Sequence, residues 1–175
     1  MVRRKKAQIK NYTNRLLLFV VDKNPLEVLE STPSAIRRAV SKLTKDKIKK
    51  SPAAGKWSIA QILSHLADGE IVFAYRLRKI ISEPGSRIES YDQNLWAENL
   101  LYKKSNYQEK LKIFSEIRRA NVQLLKSLKP AMWKRFGIHQ ERGKETVEKM
   151  VLLYAGHDMN HLKQIQHLAH IFRKK

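Results

Sequence analysis

The chain of 175 residues contains no cysteine, which rules out disulfide bridges, a thiolate nucleophile of its own and Cys-ligated zinc. That absence fits a reducing compartment, and a cytoplasmic protein is expected. Proline and glycine are scarce, at 5 and 6 residues, and fall between segments of helical periodicity, where breakers belong in a helical protein. Long apolar runs are also missing. The stretch "LLLFVV" at 16–21 is shorter than the roughly 7–15 residues of a secretory apolar core. Nothing approaches the roughly 20 apolar residues that cross a bilayer, so no membrane span is expected.

Acidic residues are few beside basic ones. Sixteen Asp and Glu stand against 36 Lys and Arg, for a formal charge of +20. Such an excess attracts phosphates and nucleic acids. The cations are scattered, however, in "RRKK" (3–6), along 37–50, at 103–104 and in "RKK" (173–175). Two readings stand: a solvated basic surface, or a basic nucleic-acid-associated helical binding protein without catalysis.

The length suits one domain. Residues 1–23 read as a basic lead-in and 24–175 as a single folded unit. "STPSAIRRAVSKL" (31–43) places Pro33 in a first helical turn, followed by Ile36, Val40 and Leu43 at helical spacing. Ser58 and Gln61 form a capping-box pattern. Behind them Ile59, Ile62, Leu63, Leu66, Phe73 and Leu77 supply an apolar face that Pro84-Gly85 ends. Asn106 opens a third helix, with Ile113, Ile117, Leu124 and Leu128 as its expected buried side. After a linker at 129–145, Thr146 opens the last helix, whose stripe runs Met150, Tyr154, His157, His161, Ile165, Leu168 and Phe172. Four long helices and no strand-period segment predict an all-α four-helix bundle.

His157 and His161 lie four residues apart within that stripe, so both imidazoles face the core. His65 lies between Ile62 and Leu66 on the inward face of the second helix. Three nitrogens from facing helices can hold a divalent ion with coordination positions left open, the arrangement of a catalytic site. Neutral imidazole suits Zn, Ni, Cu or Fe. The competing reading is that the histidines only pack and hydrogen-bond. No zinc-protease HExxH is present. Asp68 and Asp158 stand near enough in sequence to orient a ligand, and Asp68 and Glu70 are the candidate general bases. His139, on the linker, is a candidate pocket residue. His167 and His170 fall off the His157/His161 line and read as surface residues, and Trp57 reads as a staple against the helix start.

Together these residues resemble a family. "GKWSIAQILSHLADGEIVFAYRLRKI" (55–80) is similar to the Trp-Ser…His-Leu-x-Asp-x-Glu helix of the DinB-like (YfiT-like) proteins. "HQERGKETVEKMVLLYAGHDMNHLKQI" (139–165) resembles their last helix, with its HD-x-x-H-x-x-Q-I ending. "YDQNLWA" (91–97) is similar to a Tyr-Asp-x-x-x-Trp-Ala stretch, and "NPLEVLESTPSAIRRAV" (24–40) to the first helix. The resemblance implies a four-helix bundle with a long crossover, many members being homodimers. It implies a nickel or zinc ion on His65, His157 and His161. It further implies hydrolysis of a small-molecule substrate, or transfer to a low-molecular-weight thiol cosubstrate.

The expected chemistry is therefore that of an open three-histidine site. Either a water acidified by the ion attacks an electrophile, or a thiol cosubstrate loses its proton there. No protein nucleophile is assigned. Tyr91, Asp92 and Trp96 are expected on the crossover, at the pocket mouth.

Overall fold

The computed structural model describes residues 2–174. Its elements in chain order are α1 (Val2–Leu18), α2 (Pro25–Val40), α3 (Lys45–Lys49), α4 (Ile59–Ser82), β1 (Arg87–Ile88), α5 (Gln93–Asn99), α6 (Tyr107–Lys126), α7 (Pro130–Trp133), β2 (Phe136–His139), β3 (Gly143–Thr146) and α8 (Val147–Lys174). The four long helices of the bundle are α2, α4, α6 and α8. Around the bundle the packed neighbours are α2 with α8, α8 with α4, α4 with α6, and α6 with α2. Thus α2 lies diagonally opposite α4, and α6 opposite α8, while α4 and α6 are neighbours; two of the connections between them are long. One connection runs from Glu83 to Asn106 and carries β1, α5 and a 3₁₀ turn; the other carries α7, β2 and β3.

Local chemistry sets the helix boundaries. Ser58 caps α4 by accepting from the Gln61 amide at 3.3 Å, while the Gln61 side chain accepts from the Ser58 amide at 3.0 Å. This reciprocal box fixes where α4 starts and therefore the phase of His65. Asn106 caps α6. The start of α2 differs from the sequence reading. Asn24 is the cap and Pro25 the first-turn proline, so Pro33 sits inside the helix. A proline there removes the N–H that would bond the Leu29 carbonyl four residues back.

Two apolar clusters fill the bundle. One gathers Ile36, Ile62, Leu63, Phe114, Ile165 and Phe172; the other gathers Leu29, Phe73, Leu77, Val122, Met150 and Val151. Each fully buried large side chain contributes about 1.5–3 kcal/mol. Between the clusters lies a polar layer made from the middle of each helix. The inward face of α6 differs from the expected one. Leu111, Phe114, Arg118, Asn121, Val122 and Leu125 are buried, whereas Ile113 is 38% exposed. The helix is rotated because Arg118 and Asn121 have partners only at the centre of the bundle.

Two further departures concern segments read as irregular. Residues 1–23 carry α1, which packs on α8 and buries Leu16. Gly156 permits the approach, since a Cβ there would lie 2.2 Å from the Leu16 carbonyl oxygen. The linker at 129–145 carries a hairpin, with Phe136 opposite Thr146 and His139 opposite Gly143; β1 adds to it in parallel through Arg87–Ile138 and Ile88–His139. Gly137 is required in β2, because a Cβ there would come within 2.6–2.9 Å of Ile80 and Ile88.

Candidate metal centre

His65 on α4 and His157 and His161 on α8 converge in the polar layer. Their ring centroids are 5.0, 5.0 and 4.5 Å apart, and one ring nitrogen from each lies within 4.8 Å of the other two. The Nε2 atoms of His65 and His157 are 3.0 Å apart. Two nitrogens that share one ion at about 2.0–2.1 Å lie roughly 3 Å from each other, so this spacing fits a common ion. His161 Nδ1 donates to the Gln164 side-chain carbonyl at 3.0 Å. The proton is thereby placed on Nδ1, and the Nε2 lone pair is left as the available donor.

Burial makes all three imidazoles weak bases. It lowers His65 to about 3, with help from His161, and lowers His161 to about 4 against the opposing hydrogen bond that His161 donates to Gln164. His157 is pushed well below its ordinary value by burial and then by its neighbours His161, His65 and Arg118. All three are therefore neutral at neutral pH, the form that binds metal. His157 Nδ1 is buried without a protein partner. Three neutral imidazoles with converging nitrogens in a mostly apolar bundle fit a divalent cation by donor chemistry, count and spacing.

Beside the trio, one guanidinium organises the polar layer. Arg118 on α6 donates from Nε and Nη2 to the two Glu70 carboxylate oxygens at 2.9 and 2.7 Å, and from Nη1 and Nη2 to Asp158. Nη1 also donates to the Leu29 carbonyl at 2.9 Å. All four bundle helices therefore meet at this side chain, which is 2% exposed. Asn121 donates to Glu70 at 2.8 Å and accepts from Arg78 at the same distance. Asp158 immediately follows His157, so its grip on Arg118 fixes the rotation of α8 that turns His157 and His161 inward.

A cavity of about 200 Å³ opens on two of the three histidines; it is lined by His65 and His157 together with Tyr12, Arg76, Tyr91 and Tyr154. Gly69, four residues after His65, leaves room for it on α4.

The DinB superfamily family model matches residues 29–165. The chain belongs to the DinB superfamily. A "Putative metal-dependent hydrolase" of Oceanobacillus iheyensis is 29% identical over 81% of each chain. The one called YfiT in Bacillus subtilis is 27% identical over 82% of each. The solved structure of YfiT, described as a probable metal-dependent hydrolase with an unusual four-helix bundle topology, superposes with a TM-score of 0.78 at 26% identity, covering 84% of this chain and 85% of that one.

Within this DinB-superfamily bundle the remaining residues singled out from the sequence disperse. Asp68 accepts from Lys110 at 3.0 Å and makes no hydrogen bond to His65. Glu70 and Asp158 are both engaged by Arg118, so neither orients an imidazole. Tyr91 lines the cavity, with Trp96 packed on its ring at 4.4 Å. Asp92 points into its own helix, capping α5 through the Asn94 and Leu95 amides. His139 is buried in β2 and accepts from the Glu141 amide; it lies outside the wall of the cavity. His167 and His170 are exposed, and the Trp57 ring packs 5.2 Å from that of His65.

Several residues of the site escaped the sequence reading. Gln164, quoted as the Gln of the HD-x-x-H-x-x-Q-I ending, was given no role, although its place three residues after His161 was available as a signal. Arg76 lies eleven residues after His65, three turns along the same face. Tyr12 belongs to a helix read as a lead-in, and Arg118 was invisible because charged residues are rarely assigned to a core.

Proposed function

We propose that this chain is a metal-dependent hydrolase acting on a small molecule, with nickel or zinc held by His65, His157 and His161. The observation that carries the reading is the convergence of three neutral imidazoles from two helices, two of which, His65 and His157, line a cavity. A divalent ion in that place supplies Lewis acidity and open coordination positions. The protein contributes orientation: Gln164 fixes the His161 tautomer, Trp57 packs on His65, and the Asp158–Arg118 contact sets the phase of α8. The nearby carboxylates are already paired, Glu70 and Asp158 with Arg118 and Asp68 with Lys110. No protein nucleophile or general base is therefore assigned.

The family resemblance supports a second chemistry at the same place. A thiolate nucleophile would have to arrive with a low-molecular-weight cosubstrate, making the reaction an S-transfer. Both readings are tested by loading the purified protein with nickel or zinc and assaying small esters and amides, with and without thiol–electrophile pairs. Turnover that needs the metal and disappears in His157→Ala is expected. Turnover that persists in His157→Ala, or none with either metal, contradicts the proposal.

A further inference from the structure

Arg76 lies on α4 with 7% of its surface exposed, in the wall of the cavity that contains His65 and His157. Its one hydrogen bond is a donation from Nη2 to the Glu89 backbone carbonyl, and no carboxylate pairs with it among the described residues. Its guanidinium carbon lies 5.8 Å from the centre of the Tyr91 ring. The other buried or partly buried arginines near the site are neutralised. Arg118 holds two carboxylates, and Arg142, in the same cavity wall, is paired in fork fashion with Glu145 at 2.6 and 2.8 Å. An arginine out of water with most of its donors unused is unfavourable unless an anion joins it.

The groups opposite Arg76 are suited to the same ligand. Tyr91 and Tyr154 line the cavity, and no hydrogen bond within the described protein uses either hydroxyl. Burial raises both tyrosines above their ordinary values while Arg76 opposes it, so both hydroxyls keep their protons and are able to donate. The planar fork of an arginine, flanked by two phenolic donors, matches the two or three coplanar oxygens of a carboxylate or phosphate face.

We propose that Arg76, with Tyr91 and Tyr154, is the anchor for an anionic oxyacid group of the substrate, which it holds beside the histidine trio. That the anion belongs to a substrate rests on the metal-site reading; the anion site itself does not. At about 200 Å³ the cavity admits a compact molecule. The substrate class is therefore a small carboxylic acid or phosphate ester whose reactive bond lies within a few atoms of its charge.

The test titrates the full-length protein, both as purified and after chelation, with acetate and with inorganic phosphate at ionic strength held constant by chloride. Thermal stability and chemical shifts of the tyrosine rings are followed. Both samples should respond saturably to at least one anion, acetate indicating a carboxylate substrate and phosphate a phosphate ester. Arg76→Met should weaken that response by about ten- to a hundredfold. Arg87→Met, which removes the same charge from an exposed position, should leave it intact. Arg76→Met should also match or exceed the wild type in stability without anion, because it relieves an unpaired buried charge. Wild type that ignores both anions overturns the proposal, as does Arg76→Met that responds like wild type. A protein that binds no metal but keeps an Arg76-dependent anion response defeats the metal reading and leaves the anion site standing.

Discussion

Arg118 Nη1 donates to the carbonyl of Leu29 at 2.9 Å, the acceptor that Pro33 leaves without its helical donor. The proline inside α2 and the arginine buried in α6 are thus two halves of one arrangement. A gap in the hydrogen bonding of one helix is filled by the side chain that also holds Glu70 of α4 and Asp158 of α8. The three converging histidines stand on the two helices whose carboxylates Arg118 clamps.

Removing Arg118 strands two carboxylates in the interior. Arg118→Met should destabilise the protein by about 3–5 kcal/mol, the usual consequence of breaking a buried ion pair from one side. Neutralising all three groups together, as Arg118→Met/Glu70→Gln/Asp158→Asn, should recover much of that loss. Urea denaturation of the wild type, the single and the triple variants measures both. A triple variant no more stable than the single one would show that the packing of Arg118, rather than its charge, matters.

Stability of the metal-free protein should fall with acid in a defined window. Above about pH 6.5 the three histidines are neutral in both folded and unfolded chains. Below it the unfolded chain takes up protons that the folded site refuses until about 4 for His161 and about 3 for His65. The unfolded state binds more protons there, so stability decreases as pH falls from 6.5 toward 4, by at most about 1.4 kcal/mol per histidine per pH unit. Between pH 6.5 and 5 the slope of stability against pH should be shallower in His161→Gln. Equal slopes would mean that these imidazoles are not held neutral by the fold.

Gly156→Ala should separate α1 from α8. The added Cβ meets the Leu16 carbonyl at 2.2 Å, a backbone contact that no side-chain rotation can relieve. Overpacking of this kind costs about 1–3 kcal/mol. Because Tyr12 of α1 lines the cavity, the variant should also widen access to the histidines. Faster amide hydrogen exchange along Ile9–Leu16, with exchange in α4 unchanged, is the expected pattern. Unaltered exchange in α1 would show that α1 does not depend on this contact.

What the sequence made legible was what periodicity and local caps encode. The start of α4 and its apolar face were readable because the capping box and the apolar spacing agree over Ser58–Leu77. The histidine trio was readable because His157 and His161 fall within an apolar stripe. The face of α6 was misread because its inward residues include Arg118 and Asn121, whose burial is explained only by partners on α2, α4 and α8 that are distant in the chain. Pro33 resembled a first-turn proline, and only the Arg118 contact to Leu29 shows how α2 tolerates it. The hairpin escaped because four-residue strands, one carrying Gly137, give too little alternation to register. Helix α1 escaped because the one buried anchor among its described side chains, Leu16, lies in a run that reads equally well as strand.

We propose that His65, His157 and His161 together hold one divalent ion. Elemental analysis of tag-free protein, wild type beside His161→Ala, tests it most directly, with circular dichroism confirming that both are folded. About one equivalent of nickel or zinc per chain is expected in the wild type, with most of it lost in the folded variant. No bound metal in the wild type after reconstitution with either ion, or equal metal in the two proteins, would contradict it and return the three histidines to the role of packed core residues.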